Sequence, residues 1–233
     1  MPRSQSWRPL GASMDRSFNR DIEALSKHYG ELVRRHGDRP ESAQYADRET
    51  QERRMAVLCE VGVTKDSKVL DLGCGTGQLL SFLQRSLGYE GEYVGYDISP
   101  EAIELARSIH PAGRFEVRNI LEQPIEETFD YILVSGVFNN RISDNRAFFE
   151  AMSRLLMARV EVGYAFNMLS QFVDYFDDGL YYEDPLYAFR FCKEQLSPLV
   201  TLRHDYSVRP GSIPFEFSIY VHRTDVAPRA LHD

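Results

Sequence analysis

The sequence has few cysteines, no long apolar run and a deficit of basic charge, and each shortage excludes a class of protein. Its three cysteines, Cys59, Cys74 and Cys192, are odd in number and lack the close spacing of a zinc or redox pair. We therefore expect reduced thiols rather than a disulfide framework. No stretch approaches 18 uninterrupted apolar residues, so no membrane span is expected. The histidines are scattered without metal-ligand spacing, and no metal is predicted.

The charge balance favours a small-molecule partner. The chain of 233 residues has 27 Lys and Arg against 35 Asp and Glu, a formal net charge of -8. Because an acidic surface repels phosphate backbones, a nucleic acid is disfavoured as the main partner. At 43% hydrophobic residues the chain can bury one sizeable core, so we expect one domain, as a monomer or homodimer.

The termini are expected to lie outside that domain. Residues 1–17 lack the apolar run of a secretory signal, so we expect a disordered leader in a cytoplasmic protein. Met14 is an alternative to Met1 as the functional start. Residues 224–233 are expected to form a flexible tail.

Helical periodicity runs from Phe18 to about His36 and again from Arg48 to about Val61. We expect residues 18–63 to form helices that cover a site on a core of residues 64–223. Within the core, strands alternate with helices, which predicts a parallel sheet with helices on both faces. The predicted strands of this part are Lys68–Leu72, Glu92–Asp97, Phe115–Asn119, Tyr131–Val134 and about Val160–Phe166.

The last two predicted strands have no helix between them. They span Leu199–Asp205 and Phe215–Val221, and the second alternates apolar with polar residues. This pattern is typical of an antiparallel hairpin with one buried face. We therefore expect an α/β fold whose mostly parallel sheet finishes in an antiparallel hairpin.

A glycine-rich segment, Asp71-Leu72-Gly73-Cys74-Gly75-Thr76-Gly77, follows the first predicted strand and precedes a helix. Glycines there permit a tight turn and a close approach of ligand to backbone. A dinucleotide fingerprint needs a third glycine at position 78, which is Gln78. Asp71 would repel a pyrophosphate but suits a cationic amino-acid group. These two details favour S-adenosylmethionine (SAM) over a nicotinamide cofactor.

Asp97 ends the second predicted strand. A carboxylate at this point can accept hydrogen bonds from both hydroxyls of a ribose. Nicotinamide enzymes and methyltransferases both use such a group, so Asp97 indicates a nucleoside without separating the two. Taken alone, it is equally typical of an aspartate that caps the next helix.

Three segments resemble successive motifs of the class I SAM-dependent methyltransferases: residues 71–77, residues 95–99 and residues 129–135. The resemblance covers roughly residues 49 to 222. It implies a twisted sheet of seven strands, of which the last is antiparallel. Residues 47–54, 135–139 and 165–170 also resemble a bacterial subgroup that acts on small molecules.

The resemblance implies that Asp71 holds the amino-acid end of SAM, that Asp97 holds the ribose and that Ser135 lies near the transferable methyl. Many family members have Asp where this chain has Asn119, whose side chain can still accept a hydrogen bond from the adenine amine. The nine cofactor-binding residues implied are Asp71, Gly73, Cys74, Gly75, Asp97, Ile98, Asn119, Ile120 and Ser135.

The acceptor side offers three candidate catalytic residues, Asn139, Asn167 and Tyr45. The asparagines follow the fourth and fifth strands, and Tyr45 lies in the connector between the first two helices. Loop-forming asparagines and a packing tyrosine are the alternatives. The acidic and aromatic segment 172–184 is either a lid for a cationic or ring-bearing acceptor or a solvated connector. His204 and Asp205 point to opposite faces of a strand, which favours a structural histidine.

The sequence therefore predicts an enzyme that transfers a methyl group from SAM to an oxygen, nitrogen or carbon atom of a small metabolite. One alternative is a non-catalytic module or partner subunit that binds SAM or S-adenosylhomocysteine (SAH). Another is an NAD(P)-dependent oxidoreductase. Gln78 and the absence of a convincing Tyr-x-x-x-Lys pair disfavour the oxidoreductase.

Overall fold

The computed structural model describes residues 12–209 and 211–224, and of residues 12–17 it describes only the helical backbone. The first helix, α1, spans Ala12–His36 and so begins earlier than the predicted Phe18. The expectations for residues 1–11 and 225–233 lie outside the described part of the chain. None of the described helices is long and apolar enough to cross a membrane.

A short connector joins α1 to α2. It contains a 3-10 turn, Pro40–Ala43, and ends at Asp47. The Asp47 side chain accepts a hydrogen bond of 2.7 Å from the Thr50 amide, which caps α2 (Arg48–Cys59) at its start. We call α1, this connector and α2 the N-terminal cover.

The core alternates strands and helices as predicted. Its elements are β1 (Val69–Leu72), α3 (Gln78–Leu87), β2 (Tyr93–Asp97), α4 (Pro100–Ile109), β3 (Arg114–Val117), β4 (Phe129–Val134), α5 (Asn145–Met157), β5 (Val160–Ser170), β6 (Tyr182–Glu183), α6 (Pro185–Gln195), β7 (Leu199–Arg203) and β8 (Glu216–His222).

The strands form one sheet in the order β3-β2-β1-β4-β5-β8-β7. The five strands from β3 to β5 are parallel, while β8 lies antiparallel between β5 and β7. This confirms the mostly parallel sheet with a C-terminal antiparallel hairpin. The structure differs from the prediction in that β5 continues to Ser170, the two-residue strand β6 pairs with its end, and β7 ends at Arg203, so that His204 and Asp205 lie beyond the strand.

The strand order reverses between β1 and β4, because β1 pairs with β2 on one side and with β4 on the other. The crossover connections leave in opposite directions from these two strands. A cleft therefore opens at their carboxyl ends, where open α/β sheets bind ligands.

An aromatic cluster fills the core on one face of the sheet. The fully buried ring of Phe149 on α5 lies 5.3 Å from Phe138, 5.2 Å from Phe166 and 5.2 Å from Phe191, measured between centroids. These rings join α5 and α6 to β5. The helix that follows β4 is thereby fixed beside the cleft.

We expect the substitution Phe149→Ala to lower the free energy of unfolding by about 3–5 kcal/mol, because it leaves a cavity among three rings. Urea unfolding followed by circular dichroism measures this change. Phe172→Ala is the matched control, since Phe172 is 55% exposed, and it should change stability by less than about 0.5 kcal/mol. Equal losses for the two variants would contradict the packing described.

Candidate active site

A cavity lies at the carboxyl ends of β1, β2 and β4, beneath the N-terminal cover. Its floor includes all nine residues that the sequence assigned to cofactor binding. Its roof is formed by residues of the cover: Ile22, Leu25, Tyr29, Val33, Ser42, Ala43, Tyr45, Gln51, Met55 and Leu58. The structure therefore brings the nine floor residues together in one cavity beneath the N-terminal cover.

The glycine loop between β1 and α3 has a backbone that favours glycine. Gly73, Gly75 and Gly77 have φ angles of 77°, 53° and 84°, in the left-handed region. A Cβ atom added at Gly75 would meet no protein atom within 4 Å, whereas one added at Gly77 would meet the rings of His110 and Phe115. Gly75 therefore borders open cavity, and Gly77 allows close packing.

Asp97 at the end of β2 holds the glycine loop in place. One carboxylate oxygen accepts a hydrogen bond of 2.8 Å from the Gly75 amide, and the other accepts one of 2.8 Å from the Ser99 amide. Burial raises the pKa of Asp97, and these backbone amides partly oppose the rise. The two bonds fix the carboxylate at the cavity wall, beside the glycine loop.

Asp71 on β1 is almost fully buried at the base of the cavity, with 4% of its surface exposed. The Tyr93 hydroxyl donates a 2.6 Å hydrogen bond to its carboxylate. The pKa of Asp71 is raised to about 7, chiefly by burial and also by the nearby charge of Asp97, while the Tyr93 hydrogen bond opposes the rise. Asp71 is thus a carboxylate whose ionisation is costly without a cation beside it.

The N-terminal cover is fastened to the cofactor loop through Asp38. Its carboxylate accepts a 2.6 Å hydrogen bond from the Thr76 hydroxyl and a further one from the Gln78 side-chain amide. Arg48 donates a 2.5 Å hydrogen bond to the Gln78 carbonyl oxygen. Gln78, which occupies the position where a dinucleotide fingerprint has glycine, therefore joins both ends of the connector to the loop.

Two tyrosines of the cover face the end of β4. The Tyr45 hydroxyl lies 3.2 Å from the Ser135 hydroxyl, and Asn140 donates a 2.9 Å hydrogen bond to the Tyr29 hydroxyl. Burial raises the pKa of Tyr45 and raises that of Tyr29 to about 12. Both phenols are therefore neutral hydrogen-bonding groups near pH 7. Neither is poised to act as a base.

Asn139 and Asn167 do not line the cavity. The Asn139 side-chain oxygen accepts a 3.0 Å hydrogen bond from the Leu169 amide, and that of Asn167 accepts one of 2.8 Å from the Gly136 amide. Asn139 thus ties the loop after β4 to strand β5, and Asn167 supports the backbone of Gly136 at the cavity wall, as expected for structural asparagines. A catalytic role for either remains a prediction, whereas Tyr45 lies at the cavity wall.

The segment 172–184 contributes no residue to the cavity wall. Its aromatic residues Tyr175 and Phe176 are 72% and 53% exposed. The hypothesis that this segment forms a lid over the cavity therefore has no support from these contacts.

The Asp205 carboxylate pairs with Arg203 at 2.7 Å and not with His204. Among the described residues, no group of three or more His, Cys, Asp or Glu is arranged to hold a metal ion.

Sequence reasoning missed an ion pair behind the cavity. Arg54 on α2 and Glu216 on β8 are both buried, with Nε and Oε2 2.6 Å apart. The available signal was the polar face of α2, on which Thr50, Gln51 and Arg54 are buried. A partner 162 residues away could not be identified from that signal.

The raised pKa of Asp71 predicts how the free energy of unfolding of the protein depends on pH. The folded protein keeps the Asp71 proton to higher pH than the unfolded chain, whose aspartates have a pKa near 3.9. Because the unfolded chain loses this proton at a lower pH than the folded protein, the free energy of unfolding falls as pH rises from about 4 to about 7. We expect Asp71→Asn to gain stability over the wild type across this range.

Urea unfolding at several pH values measures this difference. Asp66→Asn serves as control, since the Asp66 side chain is 71% exposed, and its difference from the wild type should not grow with pH. A stability difference between Asp71→Asn and the wild type that stays constant with pH would contradict the burial argument.

Comparisons with known proteins agree with this geometry. A family model described as a methyltransferase domain matches residues 63–165. A Mycobacterium tuberculosis protein named as a methyltransferase, Rv1506c, is 36% identical over 159 residues, covering 66% of this chain and 91% of that protein. The ribosomal protein L11 methyltransferase of Cupriavidus necator is 34% identical over 95 residues, and the chain spans only 29% of its length.

A solved structure shares the fold at low sequence identity. The complex of DhpI with SAH has a TM-score of 0.60 and 17% identity, covering 87% of this chain and 96% of that one. The sequence relative and the shared fold both agree with the features of this site, namely the glycine loop, the carboxylate at the end of β2 and the antiparallel β8. The chain belongs to the class I SAM-dependent methyltransferases.

Proposed function

We propose that this methyltransferase transfers the methyl group of SAM to a small-molecule acceptor bound beneath the N-terminal cover. The observation that carries the proposal is the N-terminal cover above the cavity. Its roof residues come from α1, the connector and α2, and Asp38 ties the connector to the cofactor loop. An acceptor must fit under this roof to reach the floor, which favours a small molecule over a folded protein or a nucleic acid.

The floor residues fit an adenosyl group. Gly75 leaves space for a ligand against the backbone, and the Asp97 carboxylate lies beside it to accept hydrogen bonds from the ribose hydroxyls. Ile98, Asn119 and Ile120 form the neighbouring wall, where we place the adenine. Gly73 and Cys74 continue the loop under the remainder of the cofactor.

Asp71 fits the amino-acid end. Its buried carboxylate lacks a cationic partner among the contacts described, and a ligand ammonium group would supply one. SAM carries both this ammonium group and a sulfonium that gives up its methyl group. Asp71 is therefore proposed to hold the amino-acid end, so that the methyl faces the end of β4 and Ser135.

The acceptor is proposed to lie against the wall formed by Ser135 and the two cover tyrosines. Tyr45, Ser135, Tyr29 and Asn140 offer neutral donors and acceptors at this wall, while Val137 and Phe148 are among its apolar members. These groups can orient the attacking atom in line with the sulfur–methyl bond. Orientation alone can lower the barrier by about 7–11 kcal/mol. Because both phenols stay protonated, they would orient the acceptor rather than remove its proton.

A single methyl group in the glycine loop tests the cofactor site. We expect Gly75→Ala to weaken SAH binding at least about tenfold, because the added Cβ would occupy ligand space. Gly88→Ala is the matched control: Gly88 has a φ of 59°, an added Cβ there also meets nothing within 4 Å, and it lies outside the cavity wall. Both variants carry similar backbone strain of roughly 1–2 kcal/mol.

Calorimetric titration with SAH measures both variants. An equal loss of affinity in the two would trace the effect to strain and contradict the close approach proposed at Gly75.

The acceptor class is tested with methyl-labelled SAM in a bacterial extract separated into small-molecule, protein and nucleic-acid fractions. We expect label in the small-molecule fraction with the wild type and clearly less with Gly75→Ala at a SAM concentration below saturation. Mass spectrometry of that fraction identifies the product and the atom that carries the methyl. Label confined to protein or nucleic acid would overturn the small-molecule assignment.

A further inference from the structure

The Arg54–Glu216 ion pair lies immediately behind the acceptor wall. The two side chains are only 8% and 2% exposed, with Nε and Oε2 2.6 Å apart. Removing both charges from water has a large cost, so a buried pair of this kind contributes little net stability. Its contacts with the surrounding side chains point instead to a role in placing them.

Arg54 fixes Tyr45. Its guanidinium lies 4.8 Å from the centroid of the Tyr45 ring and donates a 3.1 Å hydrogen bond to the Thr50 carbonyl. The guanidinium is therefore anchored to α2 while it contacts the Tyr45 ring. The hydroxyl of that ring reaches Ser135, beside Gly136 at the end of β4.

Glu216 is linked through Asn167 to the turn Ser135–Gly136. Its second carboxylate oxygen lies 3.5 Å from the Asn167 side-chain amide and accepts a 3.2 Å hydrogen bond from the Tyr206 hydroxyl. Asn167 in turn accepts the 2.8 Å hydrogen bond from the Gly136 amide. Arg54 thus contacts Tyr45, and Glu216 contacts Asn167, which holds the backbone next to Ser135, the residue that Tyr45 contacts.

We propose that Arg54 and Glu216 are positioning residues for methyl transfer, which hold the Tyr45 hydroxyl against the Ser135–Gly136 turn, so that both face the acceptor from the same wall of the cavity. Neither residue lines the cavity, so both act through the groups they hold. The proposal rests on the acceptor-side role given to Tyr45 above. It also explains why Asn167 is buried between the turn and Glu216.

The chain contains a second arginine–glutamate pair beside a tyrosine ring, which serves as the control, although its Arg146 side chain is 47% exposed. Arg146 pairs with the buried Glu183 at 2.8 Å, and its guanidinium lies 3.8 Å from the Tyr187 ring centroid. This arrangement has the same composition, an arginine between a tyrosine ring and a buried glutamate, but lies outside the cavity wall. The test variant is Arg54→Met with Glu216→Gln, and the control is Arg146→Met with Glu183→Gln. Replacing both members avoids leaving an unpaired buried charge.

The first measurement needs no acceptor. Fluorotyrosine is placed at position 45, and its fluorine resonance is recorded by NMR in the SAH complex. We expect the Arg54/Glu216 variant to shift and broaden this resonance while SAH affinity stays within about twofold, and the Arg146/Glu183 control to leave it unchanged. An unchanged resonance in the folded Arg54/Glu216 variant would overturn the proposal, as would an equal change in the control.

The second measurement is transfer from methyl-labelled SAM to the small-molecule fraction. We expect the Arg54/Glu216 variant to lose about 100-fold in turnover, the scale expected when reacting groups are misplaced by roughly 1 Å. Tyr45→Phe should lower turnover in the wild type but add little in the variant. Independent, additive losses would overturn the proposal.

The two measurements separate this proposal from the proposed function. Absence of a small-molecule product with the wild type contradicts the acceptor assignment, and the fluorine resonance still decides whether the ion pair positions Tyr45.

Discussion

The hydrogen bond from the Gly75 amide to the Asp97 carboxylate is the interaction on which the site depends. It joins the loop after β1 to the end of β2, next to the cleft where the strand order reverses between β1 and β4. The loop has no side chain facing the cavity at Gly75, and the carboxylate next to it is already held by backbone amides. A ligand therefore meets a preformed surface rather than one that it must organise.

The N-terminal cover depends on the same loop. Asp38 and Arg48 both contact Gln78, so the connector that carries Tyr45 is fastened beside the cofactor residues. Tyr45 then reaches the end of β4 across the cavity. The residues proposed to bind the donor and those proposed to face the acceptor are thus connected by hydrogen bonds through the protein.

The sequence predicted the features that are local. The strand–glycine–helix pattern around Gly75 and the carboxylate of Asp97 could be predicted because each is encoded within a few residues. The fold and the family were predicted from them. Contacts between segments far apart in the sequence could not be predicted. No residue near Arg54 in the sequence identifies Glu216 as its partner, and none near Asn167 shows that its side-chain oxygen accepts a hydrogen bond from the Gly136 amide.

The central claim is that the floor of the cavity binds the adenosyl and amino-acid groups of SAM. Calorimetric titration of the purified chain with SAH tests it most directly, with NAD as the competing nucleotide and the Asp97→Ala variant in parallel. The account predicts saturable binding of SAH, no binding of NAD, and an affinity for SAH at least about tenfold weaker in the variant. Absence of SAH binding by the folded chain, or unchanged affinity without the Asp97 carboxylate, would contradict it.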